Sequence, residues 1–283
     1  MRKILLIFFI WGFLGACNWI SSKKGDSKLT SENIEMQLMK ENTEKMKKIF
    51  FVLPSPIETS LLIKKTGIHF REDLLNSTDN LPSYSTSASR SIALGIYCAD
   101  LSYAGLNEQY QISMEYINIA TNLAESLGVL RTVEPAKIKL LEENLTNKEL
   151  IVDIISEIYM ESSEQLREQD RYTLASLMMI SGWIESLYLA TQSVKTDEVK
   201  HQILIKRVLE QKLSLESIKN VLSENQTDAV VEPIYKDILE LERLFTKTIK
   251  SDNENLDFYE RYDLIGFEQI CLKIKDIRNY MVN

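Results

Sequence analysis

Two acidic side chains stand where acids are rarely found. Asp100 is the only charged residue in SIALGIYCADLSYAGLN (91–107), and Glu185 is the only one from Tyr172 to Val194. Each is followed three residues later by a tyrosine, Tyr103 and Tyr188, and each has a glycine shortly before it, Gly95 and Gly182. Residues three apart share a helix face. A carboxyl in such surroundings must gather hydrogen bonds or take up a proton, because an unpaired buried charge is costly. Two buried acids whose pKa values are driven apart suit acid/base catalysis, with hydrolysis of a sugar linkage as the obvious reaction. With Tyr97, the same residues suit the grip of a ligand. In a plainer reading, each acid bonds a tyrosine or serine on a neighbouring helix and sets its register. The catalytic candidates are therefore Asp100 and Glu185 alone. The candidate ligand contacts are Asp100, Tyr97, Tyr103, Glu185 and Tyr188.

Other chemistry has less to stand on. There are two histidines, His69 and His201. Glu198-x-x-His201 matches half of a di-iron bundle motif, but the second pair that such a site needs is missing. On the charged opening turn of a helix, His201 is expected in solvent; His69, in the loop after Gly67, is expected to pack or cap. No G-x-S-x-G and no glycine-rich phosphate loop occurs. The expectation is no metal and no cofactor.

The elements that must carry the two acids are helices. Ile92, Ile96, Ala99, Tyr103 and Leu106 recur at helical spacing, and Leu94, Tyr97, Leu101 and Ala104 form a second stripe beside them. A helix apolar around most of its circumference is enclosed by other helices. Residues 172–194 repeat the theme. Their length would span a bilayer, but a central Glu and several Ser and Thr argue for a second buried helix.

Ser31–Phe51 is expected to form a charged first helix. In LPSPIE (53–58), Ser55 is an N-cap, Pro56 occupies N1 and Glu58 closes a capping box, with Gly67 ending the helix. Leu74 and Leu75 make a short helical turn, and 76–87 a polar loop. Helices then follow at 109–127, stopped by Gly128, from Pro135, and from a Thr146/Glu149 capping box. One is capped by Thr196 and lined by Leu204, Val208, Leu215, Ile218 and Leu222. Another starts at Pro233, and the last runs through Phe267, Ile270, Ile274, Ile277 and Met281. Nine glycines and five prolines in 283 residues suit long helices. The fold class is all-α: a multi-helix bundle or an array of antiparallel helical hairpins.

The amino terminus reads as an export leader. Arg2 and Lys3 precede the apolar stretch Ile4–Phe13, and Leu14-Gly15-Ala16-Cys17 follows. That tetrapeptide resembles the bacterial lipobox, which implies cleavage before Cys17 and lipid on its sulfur and new amino group. Residues 1–16 are then a lipoprotein signal peptide, 17–30 a lipidated cysteine with a flexible tether, and 31–283 a single all-helical domain. Losing Arg2 and Lys3 takes the formal charge from −8 to −10. A net acidic chain with scattered Lys and Arg offers no footprint for nucleic acid. The remaining cysteines, Cys98 and Cys271, permit one disulfide in an oxidising compartment, but their apolar helical settings favour two buried thiols.

LPSPIE (53–58), LLN (74–76), Tyr84 with Thr86, and LGIYCADLSY (94–103) together resemble a family of Bacteroidetes envelope lipoproteins of unknown function, over roughly residues 50–130. The resemblance implies a helical exported lipoprotein and no activity. Separately, Asn18 stands where some bacteria use an aspartate to retain lipoproteins at the inner membrane, which favours the outer one, and no acidic run follows Cys17 to indicate surface display, so the protein is expected to face the periplasm. A fainter similarity to tetratricopeptide hairpins lies in 94–127, without a 34-residue period. The expected role is a non-enzymatic module that binds a protein or small molecule, membrane-attached through Cys17. A hydrolase using Asp100 and Glu185, or a repeat-like scaffold, are the alternatives.

Overall fold

The computed structural model describes residues 55–129 and 147–283, apart from 252 and 254, together with the isolated positions 53, 139 and 143. The leader, Cys17, the tether, the helix expected over 31–51 and the one expected from Pro135 lie outside the described residues.

Ten α-helices occur among the described residues: α1 (Pro56–Lys65), α2 (Ser87–Leu106), α3 (Tyr110–Ser126), α4 (Lys148–Glu168), α5 (Tyr172–Ser193), α6 (Gln202–Glu210), α7 (Lys212–Ser223), α8 (Val231–Thr248), α9 (Phe258–Arg261) and α10 (Leu264–Val282). Short 3₁₀ turns cover Glu72–Leu74, Thr78–Ser83 and Val199–His201. No strand forms among the described residues; a lone antiparallel bridge joins Ile249 and Tyr262. The all-α expectation is met.

α2 and α5 form the centre and pack most extensively against each other. In α2 every residue from Ser91 to Leu106 is buried. The two apolar stripes of this helix face different cores. Ile92, Ile96 and Tyr103 join the core shared with α5, α6, α7, α8 and α10. Leu94, Tyr97 and Leu101 join a second core with α3, α4 and the start of α5. Burying both faces of a helix in this way leaves no room for charge except where it is paired. α5 is long and apolar enough to cross a membrane by composition, yet 89% of its most apolar window is buried inside the protein.

The helix ends follow from local chemistry. Ser55 and Glu58 form the capping box of α1, with Pro56 in its first turn. Thr86 caps α2. α1 and α3 are followed by Gly67 and Gly128, at φ of 73° and 71°. Glu108 and Asp170 adopt left-handed φ values of 63° and 58° in the tight turns between α2 and α3 and between α4 and α5.

Four boundaries differ from expectation. α4 is capped by Asn147, whose side chain accepts from the Leu150 N–H. Thr196 caps nothing: a turn and a 3₁₀ segment intervene before α6 begins at Gln202. The single helix expected beyond it is two, broken at Gln211, whose Oε1 accepts from the buried Trp183 indole at 3.1 Å. α8 begins at Val231, where Asp228 Oδ1 accepts from the Val230 and Val231 N–H groups, so Pro233 lies in the first turn.

Candidate functional site

α2 and α5 run in the same direction and cross where Gly95 meets Gly182. A Cβ on Gly95 would strike the Met178 carbonyl and the Ser181 hydroxyl and sit 2.9 Å from the Gly182 nitrogen; one on Gly182 would sit 3.1 Å from the Gly95 oxygen. Ser181 Oγ donates across the crossing to the Ile92 carbonyl at 2.8 Å. The glycines let the backbones approach closely. About one turn further along each helix, that approach brings Asp100 and Glu185 together.

Both acids are fully buried and lie within hydrogen-bonding reach of each other. Arg278 of α10 completes the cluster. Its Nε donates to Glu185 Oε2 at 3.0 Å and its Nη2 to Oε1 at 3.4 Å, a two-point pairing. Its guanidinium lies 4.8 Å over the Tyr188 ring. Asp100 Oδ2 accepts the Asn76 main-chain N–H at 2.9 Å, while Oδ1 receives no N–H or hydroxyl donor. Burial raises both carboxyls, and Arg278 opposes the rise at Glu185. Asp100 faces the Glu185 charge as well as burial and is raised well above the usual carboxylate range. A protonated Asp100 that donates from Oδ1 to the Glu185 carboxylate satisfies both acids.

Segment 68–84 closes over this cluster as a strap. Asn76 is completely buried, and each of its polar groups is used. Its N–H serves Asp100, its Nδ2 donates to Tyr84 Oη at 3.0 Å, its Oδ1 accepts from Asn80 Nδ2 at 2.7 Å, and its carbonyl accepts from Tyr116 Oη at 2.7 Å. Tyr97 donates to the Ser77 carbonyl at 2.8 Å, and Tyr84 to the Val282 carbonyl of α10 at 3.3 Å. Tyr103 accepts the Arg71 N–H at 3.0 Å. Burial holds the phenols of Tyr84, Tyr97, Tyr103, Tyr116 and Tyr188 above the usual range, so all five stay neutral.

The structure thus joins Asp100 and Glu185, and adds Tyr97 through the strap and Tyr188 through Arg278. Tyr103 belongs to the far end of the strap and does not share the acids' contacts. Asn76 and Arg278 escaped sequence reasoning. Asn76 stands at the head of a polar loop with nothing local to mark it, and Arg278 is one basic residue beside Lys273 and Lys275 on the last helix.

Chemically, the cluster is closed. Both carboxyls are sealed from solvent, so in this closed form no substrate bond reaches them. Ligand contact would require the strap to open.

The histidines are reversed relative to expectation. His201 is buried, and its Nδ1 accepts the Lys195 N–H at 2.9 Å. The turn before α6 folds back over it, which is what removes it from solvent. His69 is exposed in its loop. No group of His, Cys, Asp and Glu suited to a metal ion occurs among the described residues. Cys98 is buried, Cys271 half-buried, and both are free thiols.

An open groove of about 440 Å³ lies elsewhere, between α1 and α6, with Leu61, Leu62 and Ile203 on its apolar surface and Lys65, Lys206 and Glu210 at its edges. A second, more acidic hollow runs between the strap and α3.

The fold and the cluster define the class: an all-α helical array around two parallel central helices, locked by a buried acid pair. No family model, curated protein or solved structure matches the chain.

Proposed function

We propose that the chain is a lipid-anchored bacterial envelope lipoprotein, held through Cys17 and facing the periplasm, whose helical domain binds a protein partner through its outer surface. The anchor rests on the placement of Leu14-Gly15-Ala16-Cys17 directly behind a basic, then apolar, leader. The resemblance of 50–130 to Bacteroidetes envelope lipoproteins supports the same location. The binding role rests on the α1/α6 groove. Of its apolar lining, Ile203 is 66% exposed and Leu61 39%. Apolar side chains gathered along one open groove mark an interaction surface better than a sealed polar core does.

Two experiments test this. Cys17→Ala should move the protein from the membrane to the soluble fraction; sedimentation unchanged by the substitution defeats the anchor. A photo-crosslinking residue at Ile203 should give a discrete adduct in intact cells, and one at the exposed Leu272 of α10 should not. Identical patterns from both positions defeat the groove as the binding face.

A further inference from the structure

We propose that Asp100 and Glu185 share a single proton that latches the 68–84 strap: the strap stays docked while the proton is bound and opens when it leaves. The inference stands on the geometry of the cluster. Asp100 and Glu185 are both fully buried, Arg278 is committed to Glu185 through two bonds, and Asp100 Oδ1 has no N–H or hydroxyl donor. Two carboxylates cannot sit this way, because like charges in a dry site repel and each loses its hydration. One proton on Asp100 makes Oδ1 the donor. Glu185 then carries the one negative charge that Arg278 neutralises through its two bonds.

The strap is fastened to the same acid, through the Asn76 N–H on Asp100 Oδ2. Opening it admits water, the Asp100 O–H bond breaks, and the proton passes to solvent while the carboxylate becomes hydrated. The groups facing the pair from every packed element do not compete for that proton. Tyr97 and Cys98 on α2, Tyr84 on the strap, Tyr116 on α3 and Tyr188 on α5 are all raised by burial and stay neutral. Arg278 on α10 stays charged.

The sign follows from linkage. The closed state keeps a proton that the open state gives up, so opening becomes easier as pH rises above the ordinary carboxylate range, until the closed-state acid itself ionises. Release of one proton limits the effect to about tenfold per pH unit in the opening equilibrium.

The test is hydrogen exchange of strap amides on the full chain from pH 5 to 9, corrected for the intrinsic rate. The wild type should lose protection at 71–84 as pH rises, approaching tenfold per unit over part of the range. Asp100→Asn should keep that protection flat, because its amide donates to Glu185 and its oxygen accepts from Asn76 without titrating. A flat wild-type profile, or the same slope in both proteins, overturns the proposal. Infrared spectroscopy of the wild type decides the matter even if Asp100→Asn does not fold. A protonated-carboxyl stretch at pH 7 that persists over the pH range in which strap protection falls supports the latch, and its absence at pH 7 overturns it.

Discussion

Gly95 and Gly182 face each other across the α2/α5 crossing, so close that a methyl on Gly95 would have to displace backbone rather than a flexible side-chain end. The Met178 carbonyl and the Gly182 nitrogen cannot move without moving α5. This contact sets the depth at which Asp100 and Glu185 meet, so the polar cluster inherits its geometry from two residues that carry no side chain.

Gly95→Ala should therefore destabilise the fold by at least about 3 kcal/mol, at the upper end of overpacking penalties. Gly182→Ala should cost less, because part of what it meets is the Tyr159 ring edge at 3.1 Å. Denaturant midpoints of the two variants would check the order; equal midpoints would mean that the crossing relaxes freely.

Arg278→Leu should be among the most damaging single changes, costing about 3–5 kcal/mol, because it leaves Glu185 ionised and buried without a cation. Glu185→Met combined with Arg278→Leu should recover much of that loss, since apolar replacement of both partners removes the desolvation penalty. A double variant no more stable than Arg278→Leu alone would argue against the pairing.

Asn76→Ala removes the side-chain bonds to Tyr84 and Asn80 but keeps the main-chain N–H on Asp100. The expected cost is about 1–3 kcal/mol, with protease cleavage increasing within 71–84 before the rest of the chain. Cleavage spread evenly over the protein would mean that the strap is not a separable unit.

The thiols offer an independent check of the core. Burial pushes Cys271 up to about 12 and Cys98 higher still, so neither forms thiolate readily at neutral pH. In native protein at pH 8, an alkylating reagent should label Cys271 slowly and Cys98 only on unfolding, as read by peptide mass spectrometry. Rapid labelling of Cys98 would contradict the packing of α2.

Much of this architecture is written locally. The apolar stripes of 91–107 and 172–194 predict two enclosed helices, and Ser55–Pro56–Glu58, Gly67 and Gly128 mark helix ends, because periodicity and capping depend on residues within a turn or two of one another. The acids at Asp100 and Glu185 were conspicuous for the same reason: a lone charge in an apolar helix is visible without knowing its neighbours. His201 and Asn76 show where that legibility stops. His201 lies in a charged stretch and reads as solvated, and Asn76 heads a polar loop, yet both are buried by segments that fold back over them.

Pairing is the part that only the tertiary structure decided. Asp100 and Glu185 are 85 positions apart in the numbering, and Arg278 lies 93 beyond Glu185. No local pattern states that the first two share one site or that the third neutralises it. The amino-acid sequence determined that two acids had to be compensated inside helices, because an ion stripped of water demands it. Which groups compensate them depended on how α2, α5 and α10 cross, and that is settled by glycine contacts and core packing summed over the whole chain.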